Sequence, residues 1–167
     1  MQLPEPVPSA MPRLARTSVL AISFAAMVLL AGLLRQTGEA IGGLLDLTMT
    51  DASARALLAQ YSPWQRDVHA HATLIYDGLY PLAYGAFFAG LAIRLGGGSA
   101  RWVAFVMLAG MLTDYAENIV QLLALSGRGD LLGTKTVLTP LKFALTGAAI
   151  LSTLMIAARA GLRALRL

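Results

Sequence analysis

Four apolar runs dominate the pattern of hydrophobic and polar positions. They cover Thr17 to Leu34, Thr73 to Ile93, Trp102 to Leu125 and Val137 to Ala158, about half of the chain. A bilayer core about 30 Å thick needs about 20 helical residues at 1.5 Å each, so all four can cross it. The first run carries no charge, whereas the second holds Asp77 and Pro81, the third Asp114 and Glu117, and the fourth Pro140 and Lys142. The predicted fold class is all-α, an integral membrane four-helix bundle. Residues 1–16, with prolines at 4, 6, 8 and 12, read as a disordered cytoplasmic tail, and 17–167 as a single transmembrane domain. The basic start of the first run, Arg13 and Arg16, suits a secretory leader. Its apolar stretch is long and no small-x-small site follows, so a retained anchor is predicted.

Composition supports this and removes other classes. Of 167 residues, 57% are hydrophobic and 13% charged, whereas a soluble domain carries about 25% charged residues to coat its surface. The absence of cysteine excludes disulfide scaffolds, thiolate metal sites and thiol redox chemistry. The formal net charge is +4, but the basic residues sit at the ends of apolar runs and form no patch, so no nucleic-acid partner is predicted.

Those basic residues also set an orientation. The short segment from Arg94 to Arg101 is flanked by arginines and carries no acid, and Arg159, Arg163 and Arg166 follow the fourth run. The acids Glu39, Asp46, Asp51, Asp67 and Asp130 fall in the other loops. The positive-inside rule then predicts both termini in the cytoplasm, in a bacterial inner membrane. The loop 35–72 lies outside and is too long for a mere connection. Within it Thr50-Asp51 reads as a helix start, Ala52 to Tyr61 as a short amphipathic helix, and Pro63 as its end. It either lies on the membrane or caps the bundle, or is a plain surface turn of helix. Trp64, Trp102 and Tyr61 suit the aromatic belts.

Charges within the spans are the candidate chemistry. A charge at mid-bilayer costs about 2.5–3.5 kcal/mol on insertion scales, so these residues need partners. From the run boundaries, Asp77 lies about 6 Å below the outer end of its span, Lys142 about 8 Å, Glu117 about 12 Å, and Asp114 near the middle. Asp114, Glu117, Asn118 and Gln121 fall at i, i+3, i+4 and i+7, on one face of the third helix. Asp77, Tyr80, Pro81 and Tyr84 share a face of the second, and Thr139, Lys142 and Thr146 one of the fourth. Gly85-x-x-x-Ala89, Ala86-x-x-x-Gly90 and Ala144-x-x-x-Ala148 are small-residue pairs that allow close helix approach. Three carboxylates against one lysine leave a formal −2. Either one carboxyl is protonated or a further cation joins, and Arg66, just before the second span, is the candidate. His69 and His71 are expected nearer the water. With Asp67 their spacing is unremarkable for zinc, so no metal and no cofactor is predicted. Gly96-Gly97-Gly98 reads as a tight inner turn.

Asp77-x-x-x-Pro81-x-x-Tyr84, followed by Asp114-x-x-Glu117-Asn118, resembles a group of small uncharacterised bacterial membrane proteins. The resemblance runs from about Thr50 to Gln121. It implies four spans and a long first outer loop, with a short acidic-capped helix (here Thr50 to Gln60) and then an arginine (here Arg66). That group is expected to have an aromatic residue where this chain has His69. The resemblance implies an architecture and a set of polar residues, and no reaction.

Two functional readings follow from the residues. In the first, a polar site in the outer half of the bundle binds a small amphiphilic or lipid-like ligand. Asp77, Glu117, Asp114 and Lys142 are its candidate catalytic groups, and Tyr80, Tyr84, Asn118, Gln121, Arg66 and His69 its candidate ligand contacts. Glu117 or Asp77 donates a proton, and Lys142 or Asn118 holds developing negative charge. The same parts suit a proton- or cation-coupled carrier acting as a homodimer. In the second, the chain is an interaction subunit whose polar cluster fixes helix packing alone. Membrane lipid is a partner in either reading.

Overall fold

The computed structural model describes residues 11–96 and 99–165, the side chains of 11 and 12 excepted. Among these residues there are helices and loops and no strand. In chain order the α-helices are α1 (Met11–Leu14), α2 (Thr17–Ile41), α3 (Asp51–Gln60), α4 (Pro63–Ala72), α5 (Gly78–Gly96), α6 (Ala100–Leu125) and α7 (Lys135–Ala164). Four helical segments are long and apolar enough to cross a membrane: Thr17–Ile41, Pro63–Gly96, Ala100–Leu125 and Leu132–Ala164. The chain is a polytopic, all-α membrane bundle.

The spans are longer than the apolar runs. Helix α2 runs past Leu34 because Arg35 and Glu39 pair one turn apart at 2.8 Å on its exposed side. It stops at Gly42 and Gly43, both at positive φ (86° and 136°), where the Gly43 N–H donates to the Gly38 carbonyl. Pro63 begins a helix instead of ending one. It sits at the first position of α4, where a missing N–H costs nothing. The Ser62 hydroxyl and the Gln65 side chain each bond the other's backbone N–H, a reciprocal cap. A single π-helical turn, Thr73–Asp77, joins α4 to α5. Such a turn holds one extra residue and re-aims the side chains beyond it. Asp77 lies about 21 Å along this longer helical segment from Pro63.

The loop between the first two spans is thereby reduced to a short segment that caps the bundle. Thr50 caps α3 as its sequence suggests, accepting from the Ser53 N–H. Ile41, Leu44, Leu45, Ala54 and Tyr61 pack with Val120, Ala124, Leu125 and Leu132 into one core, with Leu57 and Leu58 against it. Tyr61 is buried there and donates to the Gly43 carbonyl at 2.6 Å, so it does not join an aromatic belt. Trp64 and Trp102 are exposed.

A second core lies toward the other end, around Tyr84, Ala92, Ala100, Val103, Met107 and Ala149. Close approach there depends on glycine. A Cβ on Gly85 would lie 2.3 Å from Met111 Sδ, and one on Gly90 2.5 Å from the Leu14 carbonyl oxygen. The Ala144-x-x-x-Ala148 pair faces outward and joins no helices. Met11–Leu14, inside the stretch expected to be disordered, makes one helical turn against α5. The remainder of that stretch up to residue 10, and residues 97–98 of the expected inner turn, lie outside the described residues. Helix α2 packs on α5, and α7 on α6 and α5, whereas α2 and α7 scarcely meet. That gap positions the site.

Candidate functional site

Helix α6 supplies the spine. Asp114, Glu117, Asn118 and Gln121 recur at helical spacing and all four are buried. Helix α7 sets Lys135, Thr139 and Lys142 opposite, at i, i+4 and i+7. Lys135 Nζ pairs with Glu117 Oε1, and the Thr139 hydroxyl donates to the same oxygen. Lys142 Nζ lies 2.5 Å from Glu117 Oε2 and 3.1 Å from Asp114 Oδ1. Glu117 and Lys135 are wholly buried. Charges so far from water are tolerable because each is met by an opposite charge at contact distance.

The cap adds a carboxylate. The 3₁₀ turn Leu45–Leu47 directs Asp46 inward, where Gln121 Nε2 donates to its Oδ1 at 2.7 Å. His69, fully buried on α4, places Nε2 3.5 Å from the other oxygen and its ring edge-on to Tyr61. Burial alone would push the Asp46 carboxyl up. The His69 ring, the positive charge of Lys142 and the Gln121 amide outweigh it and hold the group below the usual carboxylate range. Tyr61 is pushed up to about 12 by burial and by the negative charge of Asp46.

Beside this network lies a cavity of about 830 Å³ between α2, α5 and α7. Its walls are mainly apolar, with Met27, Ala31 and Leu34 from α2, Phe88 from α5 and Phe143 and Ile150 from α7, and the Arg35–Glu39 pair of α2 at their edge. Its polar end is formed by Asp46, Asp77, Asp114 and Lys142, with Tyr80 and Tyr84 alongside. The cavity lies where α2 and α7 do not close on each other. The Tyr84 hydroxyl donates to Asp114 Oδ2 at 3.0 Å, and the Tyr80 ring stands edge-on to Tyr84 at 5.2 Å. Asp77, the last residue of the π turn, is 5% exposed, and its Oδ2 has no hydrogen-bond partner. Thr146 Oγ1 on the opposite wall is likewise unpartnered. Both amide atoms of Asn118 are buried and unpaired, and nothing in the surrounding geometry explains this.

Of the sequence candidates, Asp77, Tyr80, Tyr84, Asp114 and Lys142 meet at the cavity, while Glu117, Asn118 and Gln121 lie within the packed bundle. His69 reaches the network through Asp46 and is not near the water. His71 is exposed, so the two histidines do not converge. Among the described residues, no three His, Asp or Glu side chains are grouped to hold a metal ion. Arg66 does not supply the missing cation. Its guanidinium donates to the Leu58 carbonyl, and it borders a separate surface pocket of about 550 Å³ with Arg55, Arg128 and Asp130. Lys135 supplies it instead. That residue continues the Lys142 stripe one heptad earlier, a spacing visible in the sequence, although its loop position disguised it. Asp46 had no such signal, since a loop acid between leucines reads as solvated. With Asp46 counted, four carboxylates face two lysines, and the formal −2 stands.

Comparison of the chain with protein-family models, with curated proteins and with solved structures gave no match.

Proposed function

We propose that the cavity between α2, α5 and α7 binds one small amphiphilic or lipid-like molecule. The head sits among Asp77, Asp114 and Lys142, and the apolar part lies along the gap between α2 and α7. The observation that carries this is the cavity's construction. Its volume of about 830 Å³ falls within the range of about 300–1,000 Å³ that small-molecule sites occupy, and its apolar walls end in a few convergent polar groups. Asp77 has a free oxygen and is the group placed to exchange a proton with a bound head. Lys142 is the cation placed to hold negative charge there. Glu117, saturated by two lysines and a hydroxyl, has a fastening role. In this reading the chain sits in a bacterial inner membrane with both termini cytoplasmic, as the arginines at the Arg94–Arg101 turn favour. A reporter active only in the cytoplasm should be active when fused after Leu167.

Mass spectrometry of what co-purifies in mild detergent tests the binding. Gly147 lines the cavity, and a Cβ there meets nothing within 4 Å. Gly147→Leu therefore adds apolar bulk at the cavity wall, starting from a Cβ that meets nothing. A stoichiometric amphiphile on the wild type that is lost from Gly147→Leu is the expected result. Bulk lipid alone on both proteins, at equal stability, would show that the cavity is not a binding site.

A further inference from the structure

We infer that the ligand of this cavity is cationic, an amphiphile carrying an ammonium head, and that Asp77 is the residue that selects it. The inference rests on the binding role proposed above and adds the sign of the charge and the residue that reads it.

The argument begins with which charges remain available. Lys142 is the cavity's cation near its polar end, and its ammonium is already held by two carboxylates, Asp114 at 3.1 Å and Glu117 at 2.5 Å. An anionic head would have to compete with both of them and then face Asp46 and Asp77 beside them. Repulsion between like charges at such distances is strong in a site screened from water. Three carboxyl groups border the polar end of the cavity: Asp114 is occupied by Lys142 and Tyr84, and Asp46 accepts from Gln121 through Oδ1 and has the His69 ring 3.5 Å from its other oxygen. Among the described residues, no lysine, arginine or histidine pairs with Asp77, and its Oδ2 is buried without a hydrogen-bond partner. A buried carboxylate oxygen of this kind is costly unless a donor reaches it. An ammonium brings both the donor and the opposing charge, and offsets part of the formal −2.

The neighbours of Asp77 fit the same head. Tyr80 and Tyr84 stand edge-on to each other at 5.2 Å on the same wall. Tyrosine faces attract cations through the ring quadrupole, by about 0.5–2 kcal/mol. Arg35 and Glu39 on α2 also line the cavity and pair with each other at 2.8 Å, so that wall adds no net charge. The apolar wall from Phe88 to Ile150 takes the alkyl chain. Two molecules present this chemistry, an aminolipid of the bilayer and a free alkylamine dissolved in it.

Calorimetric titration of the full chain in maltoside detergent tests this with dodecylammonium, dodecanol and dodecyl sulfate, which share a chain and differ in head charge. Wild type should bind dodecylammonium at least tenfold more tightly than dodecanol, and dodecyl sulfate should not compete. Asp77→Asn should lose that tenfold preference while still binding dodecanol. Gly147→Leu should weaken dodecylammonium and dodecanol together and keeps the test open if Asp77→Asn fails to fold. Dodecyl sulfate binding as well as dodecylammonium would overturn the cationic assignment and leave the cavity reading standing. An Asp77→Asn protein with unchanged preference would overturn the role of Asp77. No binding of any dodecyl compound would overturn both readings. An aminolipid extracted stoichiometrically from wild type, and not from Asp77→Asn, identifies the bilayer as the source. Dodecylammonium binding with no retained aminolipid identifies the free amine.

Discussion

Two halves of one polar cluster differ in how completely they are satisfied. Where α6 meets α7, Glu117 accepts from Lys135 and Thr139 and contacts Lys142, and the helices close tightly around them. A few residues away, where α2 and α7 fail to meet, Asp77 lines the cavity and carries a buried oxygen with no hydrogen-bond partner among the described residues. Both carboxyls come from spans that look alike in sequence, each with an acid among apolar residues. The difference teaches that intramembrane charge does not by itself mark function. A charge whose partners are all supplied by the chain fastens helices, and one left without them points to something the chain does not contain.

The largest test of that contrast is removal of Glu117. Glu117→Gln leaves Lys135 buried without a counter-charge, and breaking such a pair costs about 3–5 kcal/mol, read as a fall in detergent melting temperature. Adding Lys135→Met should recover much of the loss. A melting temperature equal to wild type would end the distinction between the halves. The seam and the gap give the next test. Gly110 lies on the closed side, where an added Cβ would be 2.6 Å from Thr146 Oγ1 and 3.2 Å from the Thr146 nitrogen. Gly110→Ala should cost about 1–3 kcal/mol by overpacking. Gly147→Ala, its neighbour on the open side, should be neutral or gain up to about 1 kcal/mol from helix propensity.

Asp46 joins the cap to the network, and its contribution depends on pH. Its carboxyl is held below the usual range in the folded state, so its stabilisation is complete above about pH 4, the unfolded value. It is lost as pH falls through the lower folded value. Melting of wild type and Asp46→Asn between neutral and acid pH should show a difference that shrinks in acid; a constant difference would remove Asp46 from the network. The smallest effect belongs to Asp77. Asp77→Asn keeps the size and polarity of a side chain that has no ion-pair partner among the described residues, so stability should stay within about 1 kcal/mol of wild type. A large loss there would move Asp77 into the fastening half.

The site was partly legible in the sequence because helical periodicity is local. The i, i+3, i+4, i+7 spacing placed Asp114, Glu117, Asn118 and Gln121 on one face, and they are buried together. Asp77, Tyr80 and Tyr84 were grouped for the same reason, and Tyr80 and Tyr84 do touch. Lys135 was half visible, on the right face but outside an apolar run. Asp46 and the burial of His69 were invisible, since each depends on how a loop folds over the bundle. Arg66 was misplaced by the same reasoning: proximity in sequence to the second span did not bring its guanidinium to the cluster.

What the sequence determined by itself is the membrane, the four helices and the polar stripe on each, because length, hydropathy and a 3.6-residue period act over one or two turns. What only the tertiary structure decided is which stripes close on each other. The π turn before Gly78, the glycines that let α5 and α6 approach their neighbours, and the separation of α2 from α7 are set by contacts between distant segments. Those contacts satisfy Glu117 and leave Asp77 open, because a charge's partner is fixed by where helices pack, which no single helix encodes.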